Sequence, residues 1–310
     1  MSTFVEIVLQ AGRSAVELAL FTLMPIMVVM MVLLRILEVH GILDRVVILL
    51  APAARPFGLT GLGVLAMLQI SLVSFVAPLP TLALMEDRGA SDRHLAAALA
   101  AVLAMAPANA TFPLAALGLH TGATLAFSAM GGLAAAASTY WLFGRSLSTD
   151  LHPISHFERA IEAKPSLLKV VNLGGAEAIR IVTNIVPMLL LSLAVVVGLE
   201  RAGAVEGLTH LLAPALDAAG VDPAYILPTF TKYLAGSTAL LGVEIDMAKG
   251  GRFGPHLVNG SAGFLLHPLD LPGVAILVSA GARVGRTLPA ALGGSCAGIA
   301  LRTFAGILAG

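Results

Sequence analysis

Residues 38–58 read "EVHGILDRVVILLAPAARPFG", and residues 200–220 read "ERAGAVEGLTHLLAPALDAAG". The two align without a gap at an offset of 162: Glu38 falls on Glu200, Gly41 on Gly203, one LLAPA on the other, and Gly58 on Gly220. The correspondence runs outward from there. Pro25 matches Pro187 at the same offset, Ala129-Met-Gly-Gly132 matches Ala291-Leu-Gly-Gly294, and Gly144 matches Gly306. Between about 60 and 128 the register slips by a few residues, as loop insertions would cause. The chain therefore divides into one copy over 1–144, a polar stretch over 145–176, and a second copy over 177–310. Internal duplication of this kind is a recurrent construction in membrane proteins.

Composition agrees. The 310 residues are 58% hydrophobic and 12% charged, where a soluble domain carries about 25% charge. So few charges cannot cover a water-exposed surface of this size, and the surplus apolar surface must face lipid. Basic and acidic residues balance at 18 each, which argues against a nucleic-acid partner, since that requires clustered Lys and Arg. Cys296 is the single cysteine, so neither an internal disulfide nor a Cys-rich metal site is expected. The opening residues, MSTFVEIVLQAGR, carry no basic segment ahead of an apolar run, and no cleaved signal peptide is expected.

A helical crossing needs about 20 apolar residues. Six stretches qualify: roughly 14–37, 95–117, 121–144, 177–199, 258–280 and 284–308. The repeated phrase itself places Ile42, Leu43, Val46, Val47, Leu49, Leu50 and Ala53 on one helical face. It reads as a short amphipathic helix, either lying at the interface or buried as a connector. Two further stretches, 60–86 and 222–246, are interrupted near their middles, by Pro78 and Pro80 and by Gly236 and Ser237. Such breaks are tolerated at membrane depth where the freed backbone faces protein or water. As re-entrant hairpins they give three crossings per half and an inverted second half; as full crossings they give four per half and parallel halves. The hairpin arrangement puts the larger share of Lys and Arg, including Arg35, Arg45, Arg55, Arg88, Arg93, Arg145 and Lys164, on the side of the linker, and the full-crossing arrangement also gives a count that favours the linker side. The linker is therefore expected in the cytoplasm.

A first helix with a central Pro, an LLAP-type amphipathic helix and then a polar segment such as "TKYLAGSTAL" resemble the nucleoside recognition, or Gate, domain. Related domains occur in concentrative nucleoside transporters, in the membrane part of ferrous iron transport protein B and in spore maturation proteins A and B. The resemblance covers nearly the whole chain as two Gate-like copies. It implies an all-α polytopic membrane protein of two inverted repeats, with six transmembrane helices and two re-entrant helical hairpins. It favours the hairpin arrangement. There is no G-x-x-x-x-G-K-[ST] loop, so no GTPase part is expected, nor are the extra scaffold helices of a full nucleoside transporter seen.

Polar side chains are costly in hydrocarbon, so those that remain are candidate site residues. In the second half they are Thr231, Lys232, Ser237 and Thr238, with Thr229 and Tyr233 nearby. His267 and Asp270 follow, in the proline-interrupted "FLLHPLDLPG". Asp270, the lone acid of its span, suits a cation, a proton or a solute hydroxyl; it equally suits a buried partner for Lys232 or Arg283. In the first half, "MAPANATFP" aligns Asn109 with Asp270 and adds Thr111, while the hairpin supplies Ser74 and Thr81, with Gln69 and Ser71. The bland alternatives are hydroxyls that stitch helices together, a Lys232 that snorkels and an Asn109 that satisfies freed carbonyls. His152 and His156 have metal-ligand spacing but sit beside Pro153 in the polar linker, and no metal site is expected. Tyr140 and Trp141 read as interface anchors, and Gly131, Gly132, Gly293 and Gly294 as points of close helix contact.

The expected function is a transporter, or transporter-like binding protein, for a small polar solute, nucleoside-like by the resemblance. Its site would lie near the midplane between the hairpins, with H⁺ or Na⁺ as candidate coupling ions and no other cofactor. The alternative is a non-transporting membrane scaffold or partner protein of the spore-maturation type. No Ser/His or metal constellation stands out in the spans, so an enzyme is not expected. The expected partners are the bilayer, the solute, and a second copy or a membrane protein; the expected location is a bacterial inner membrane.

Overall fold

The computed structural model describes residues 2–151 and 166–309, and every regular element among them is helical. The first half opens with α1 (Ser2–Glu17), a π-helical stretch (Leu18–Leu23) and α2 (Met24–Val39), which run into one another. Pro25 explains the π stretch. It offers no amide hydrogen and crowds the carbonyl one turn back, and the widened turn just before it absorbs that misfit. Then come α3 (Ile42–Ala54), α4 (Gly61–Leu72), α5 (Leu79–Asp87), α6 (Asp92–Ala104), α7 (Ala108–Leu114) and α8 (Thr121–Ser138), which continues as a π stretch to Phe143. The second half follows the same order: α9 (Leu167–Arg201), α10 (Ala204–Ala219), α11 (Ile226–Ala235), α12 (Ser237–Lys249), α13 (Pro255–Leu265), α14 (Leu271–Val278), the short α15 (Ala282–Arg286) and α16 (Leu288–Ala309).

The repeated phrase is a turn–helix–turn. Gly41 and Gly203 open its helix at φ 65° and 69°, and Gly58 and Gly220 close it at 77° and 66°. L side chains avoid this left-handed region, so glycine is required at each of the four positions. The offset of 162 also relates Thr60 to Asp222, each of which caps the next helical segment through its side-chain oxygen. The chain bends by 108° between α3 and α4, so the amphipathic helix does not run on into the helix pair.

Among the described residues, three stretches are long and apolar enough to cross a membrane, Asp92–Leu117, Thr121–Phe143 and Leu288–Leu308, or four if the bent pair Arg45–Phe57 and Gly61–Leu72 counts as one. They match the crossings expected at 95–117, 121–144 and 284–308. Those expected at 14–37 and 177–199 lie inside the runs Ser2–Val39 and Leu167–Arg201. The expected continuous crossing at 258–280 is not continuous: α13 ends at Leu265 and α14 starts at Leu271. The stretch 95–117 is likewise opened at Met105–Pro107. Prolines cause both breaks, because the residue before a proline is driven out of the helical region. The linker is also shorter than expected, since α9 begins at Leu167. At 35 residues it spans about 52 Å, well beyond a ~30 Å hydrocarbon core. His152 and His156 lie outside the described residues.

The two halves interlock. One apolar core gathers Leu240, Leu241, Phe253, Val258 and Leu265 of the second half but takes in Ala106, Ala110 and Leu114 of the first. The other surrounds α4 and α6 but takes in Leu277, Val284 and Ala291. α6 is the centre, with every residue from Leu95 to Ala104 fully buried. α8 and α16 touch backbone to backbone: a Cβ added at Gly298 would stand 2.3 Å from the Gly131 carbonyl oxygen, and one at Gly294 1.8 Å from Thr139 Oγ1. Large apolar side chains such as Leu191, Val195, Phe304 and Ile307 remain exposed on the outer helices, as a lipid-facing surface requires. The chain is an all-α, multi-pass membrane protein.

Candidate functional site

Each half contains one opened helix, and a short helix pair meets it there. In the second half the opening is Leu266–Asp270. Asp270 is extended and caps α14, its Oδ1 accepting from Gly273 N at 2.7 Å. Its other oxygen pairs with Lys232 Nζ of α11, and the two side chains are 3% and 0% exposed. The alternative weighed for Asp270, a buried partner for Lys232, is therefore the arrangement found. Lys232 does not snorkel. Its ammonium also lies 5.4 Å from the centre of the Tyr233 ring. His267 spans the opening: Nε2 meets Phe264 O at 2.9 Å, and Nδ1 accepts from Leu269 N at 3.1 Å. That pattern assigns the neutral Nε2–H tautomer. Ser237 donates to His267 O at 3.3 Å. α11 and α12 join at Gly236, where φ is 88° and an added Cβ would lie 3.0 Å from Pro272 Cγ and 3.6 Å from Asp270 Oδ1. The junction thus rests directly on the opening. Thr238 is half-buried in the first turn of α12, and Thr231 is buried with no partner for its hydroxyl.

In the first half the opening is Met105–Pro107. The Ala106 amide donates to Ser128 Oγ of α8 at 2.7 Å. Asn109 Oδ1 accepts from the amide of Phe75, in the turn between α4 and α5, at 3.1 Å. Asn109 therefore ties the turn of the helix pair to the opened helix, and satisfies an amide rather than a carbonyl. Thr81 donates to Gln69 Oε1 at 2.7 Å, which holds α4 and α5 side by side. Thr111 bonds Pro107 O within its own helix at 2.9 Å, and so serves local geometry. The hydroxyls of Ser71 and Ser74 are buried without partners.

Arg302 of α16 was not singled out from the sequence, although it is the lone charge between 287 and 310. It is 1% exposed, and no carboxylate faces it. One guanidinium nitrogen donates to Ala104 O and to Leu266 O, both at 2.9 Å, and another to Ala262 O at 2.8 Å. Those carbonyls border the two openings, so one side chain fixes the broken helices of both halves to each other. α7 also packs against α12. Eight of the ten candidates thus gather around two openings joined by Arg302, while Thr111 bonds within its own helix and Thr81 ties α5 to α4.

Among the described residues, two cavities stand near this region. One, about 50 Å³, lies between α1, α9 and α12. The other, about 90 Å³, is lined by His120, Thr124, Asn259 and Arg302 between α8, α13 and α16. None of the ten candidates lines either of these two cavities. No group of three or more His, Cys, Asp or Glu among the described residues is placed to hold a metal ion.

The chain superposes on structures of CNTnw. One in an inward-facing, substrate-bound state gives a TM-score of 0.67 at 16% identity, covering 98% of this chain and 83% of that one. A doubly substituted form in an outward-facing state gives 0.68 at 16%, covering 92% and 74%. The chain has the fold of a concentrative nucleoside transporter. No family model matches the sequence, and no curated protein matches it either. At this identity the superposition shows the fold alone and leaves the chemistry to the residues themselves. The glycines that shape the repeated phrase are thus features of a transporter-fold chain, and the two openings are its irregular backbone.

Proposed function

We propose that this protein is a membrane transporter, or a transporter-like binding protein, for a small polar solute of nucleoside-like chemistry. The solute would be held between the two opened helices. In this reading α4/α5 and α11/α12 are re-entrant hairpins of two inverted Gate-like repeats, 1–144 and 177–310. The linker is cytoplasmic and the membrane is a bacterial inner membrane. The observation that carries the reading is the set of buried, unpartnered hydroxyls at the helix pairs, Ser71, Ser74 and Thr231. A buried hydroxyl without a partner costs about 1–3 kcal/mol, and a solute rich in hydroxyls and amides would relieve that cost. The shared fold supports it, because CNTnw itself has been captured substrate-bound. The closed packing around Asp270 fits an occluded state that opens by moving a helix pair.

The test is uptake into proteoliposomes across a panel of labelled nucleosides and nucleobases. Uptake in the wild type that Asn109→Ala and Asp270→Asn abolish supports the reading. Absence of uptake across the panel, together with co-purification of a stoichiometric membrane protein, supports the scaffold alternative.

A further inference from the structure

We propose that the cavity between α8, α13 and α16 is a binding site for a phosphate group, distinct from the solute site proposed at the two openings. The proposal does not rest on the transport reading. The cavity measures about 90 Å³, and its polar lining is His120, Thr124, Asn259 and Arg302. One water needs about 15 Å³ of such space, so the cavity has room for a tetrahedral oxyanion. It lies at the start of α8, the end remote from the linker, beside the last turns of α16.

Arg302 brings to this cavity a positive charge that no protein carboxylate neutralises. Its three hydrogen bonds all go to carbonyls. The buried acids of the second half are engaged elsewhere: Asp270 pairs with Lys232, and Glu244 of α12 accepts from Ser261 Oγ at 3.3 Å. No acid lines the cavity. A guanidinium has five N–H donors, and three of them are used. Nε is buried with no partner. A charge held away from water without a counterion is costly, and an anion in the cavity that Arg302 lines would remove much of that cost.

α8 supplies the other pole of the site. It is 18 residues long, and His120 before it offers no side-chain cap. The first amides of a helix have no acceptor inside it. Thr124 N is the first to find one, His120 O at 2.9 Å, so the amides of Thr121, Gly122 and Ala123 stand outside the ladder. Uncapped amides and the positive end of the helix dipole favour an oxyanion, and Ala123 and Thr124 of that first turn line the cavity. The turn itself is pinned from the second half. The His120 amide donates to Asn259 Oδ1 at 2.8 Å, and Asn259 Nδ2 donates to Gly118 O at 2.9 Å. Phe304 and Ile307, on either side of the lining residue Gly306, are exposed apolar side chains on the lipid-facing surface. A phospholipid headgroup and inorganic phosphate offer the same chemistry here, and the test separates them.

A Cβ added at Gly306 meets nothing within 4 Å, so Gly306→Leu puts a side chain at the cavity wall and leaves Arg302 its three carbonyls. The apparent melting temperature of the full chain in detergent is followed for wild type and this variant during two titrations. One adds sodium phosphate against sodium chloride at fixed ionic strength. The other adds phosphatidylglycerol against diacylglycerol with the same acyl chains, which lacks the phosphate. A ligand bound to the folded state raises its stability and saturates. Wild type should rise by about 3 °C or more with one of the phosphate probes, and Gly306→Leu by less than about 1 °C. A rise with inorganic phosphate assigns a free-ion site, and a rise with phosphatidylglycerol alone assigns a headgroup site. No saturable rise in wild type with either probe overturns the proposal, as does an equal rise in the variant. If Gly306→Leu does not fold, Ala123→Leu takes its place at the opposite wall, and the same loss of response is required.

Discussion

Replacing Arg302 by methionine removes the clamp between the halves while keeping an unbranched side chain in its space. Three buried carbonyls, those of Ala104, Leu266 and Ala262, lose their donors. At about 1–3 kcal/mol for each buried acceptor left unpaired, the gross cost is about 3–9 kcal/mol. Removing a buried cation that no carboxylate neutralises offsets part of this, by an amount on the order of a few kcal/mol. The carbonyls of Ala104 and Leu266 border breaks where no amide one turn on can replace the guanidinium, so the loss should win. The net expectation is about 3 kcal/mol. At roughly 2 °C per kcal/mol for a chain of this length, the apparent melting temperature falls by about 6 °C. Arg302→Lys keeps the charge but supplies one point donor in place of a fork, and should fall by a similar amount or more. The assay is scanning fluorimetry in a fixed detergent at a fixed scan rate. A methionine variant that melts within about 1 °C of wild type, with the lysine variant clearly less stable, would refute the reasoning: the guanidinium would then be a tolerated burden and not a clamp.

Lys232→Met and Asp270→Asn should each cost about 3–5 kcal/mol, since each strands a buried charge. The asparagine still caps Gly273 N, so the double variant should recover at least about 2 kcal/mol of the summed loss, and additive melting shifts would deny the pairing. Gly236→Ala should destabilise by about 1–3 kcal/mol, because φ 88° is strained for alanine and its Cβ would press on Pro272; an unchanged melting temperature would place the α11–α12 junction elsewhere. Gly298→Val should push α8 from α16 and cost about 3 kcal/mol or more, and a folded variant with native stability would contradict the backbone contact.

The duplication was readable because it is written in glycines. Gly41, Gly58, Gly203 and Gly220 are fixed by backbone geometry, whatever their neighbours. The openings were marked in sequence by Pro107, Pro268 and Pro272, but 95–117 and 258–280 still read as continuous crossings, because an internal proline does not always break a helix: Pro187 sits inside the unbroken α9. The start of α9 was not readable: Lys169, Asn172, Gly174 and Gly175 look like linker by composition, yet Val170 is buried and Ala178 joins Ala11, Ala15 and Ala19 in the core, and tertiary packing overrode local propensity. The role of Arg302 was also hidden, since its partners are carbonyls of residues 262, 266 and 104, and backbone acceptors leave no mark in sequence. Asp270 was found by its isolation, but only the fold shows which of Lys232 and Arg283 reaches it. Arg283 instead joins Asp92, 2.7 Å away in the first turn of α6.

The central claim is that the two opened helices form one solute site. Its most direct test places single cysteines at Ser74 and at Thr231 in a Cys296→Ala background and follows their labelling by a small, water-soluble thiol reagent. The account predicts that both react, and that one and the same nucleoside slows both. Protection of one position alone, or reaction only with lipid-soluble reagents, would contradict a shared site between the halves.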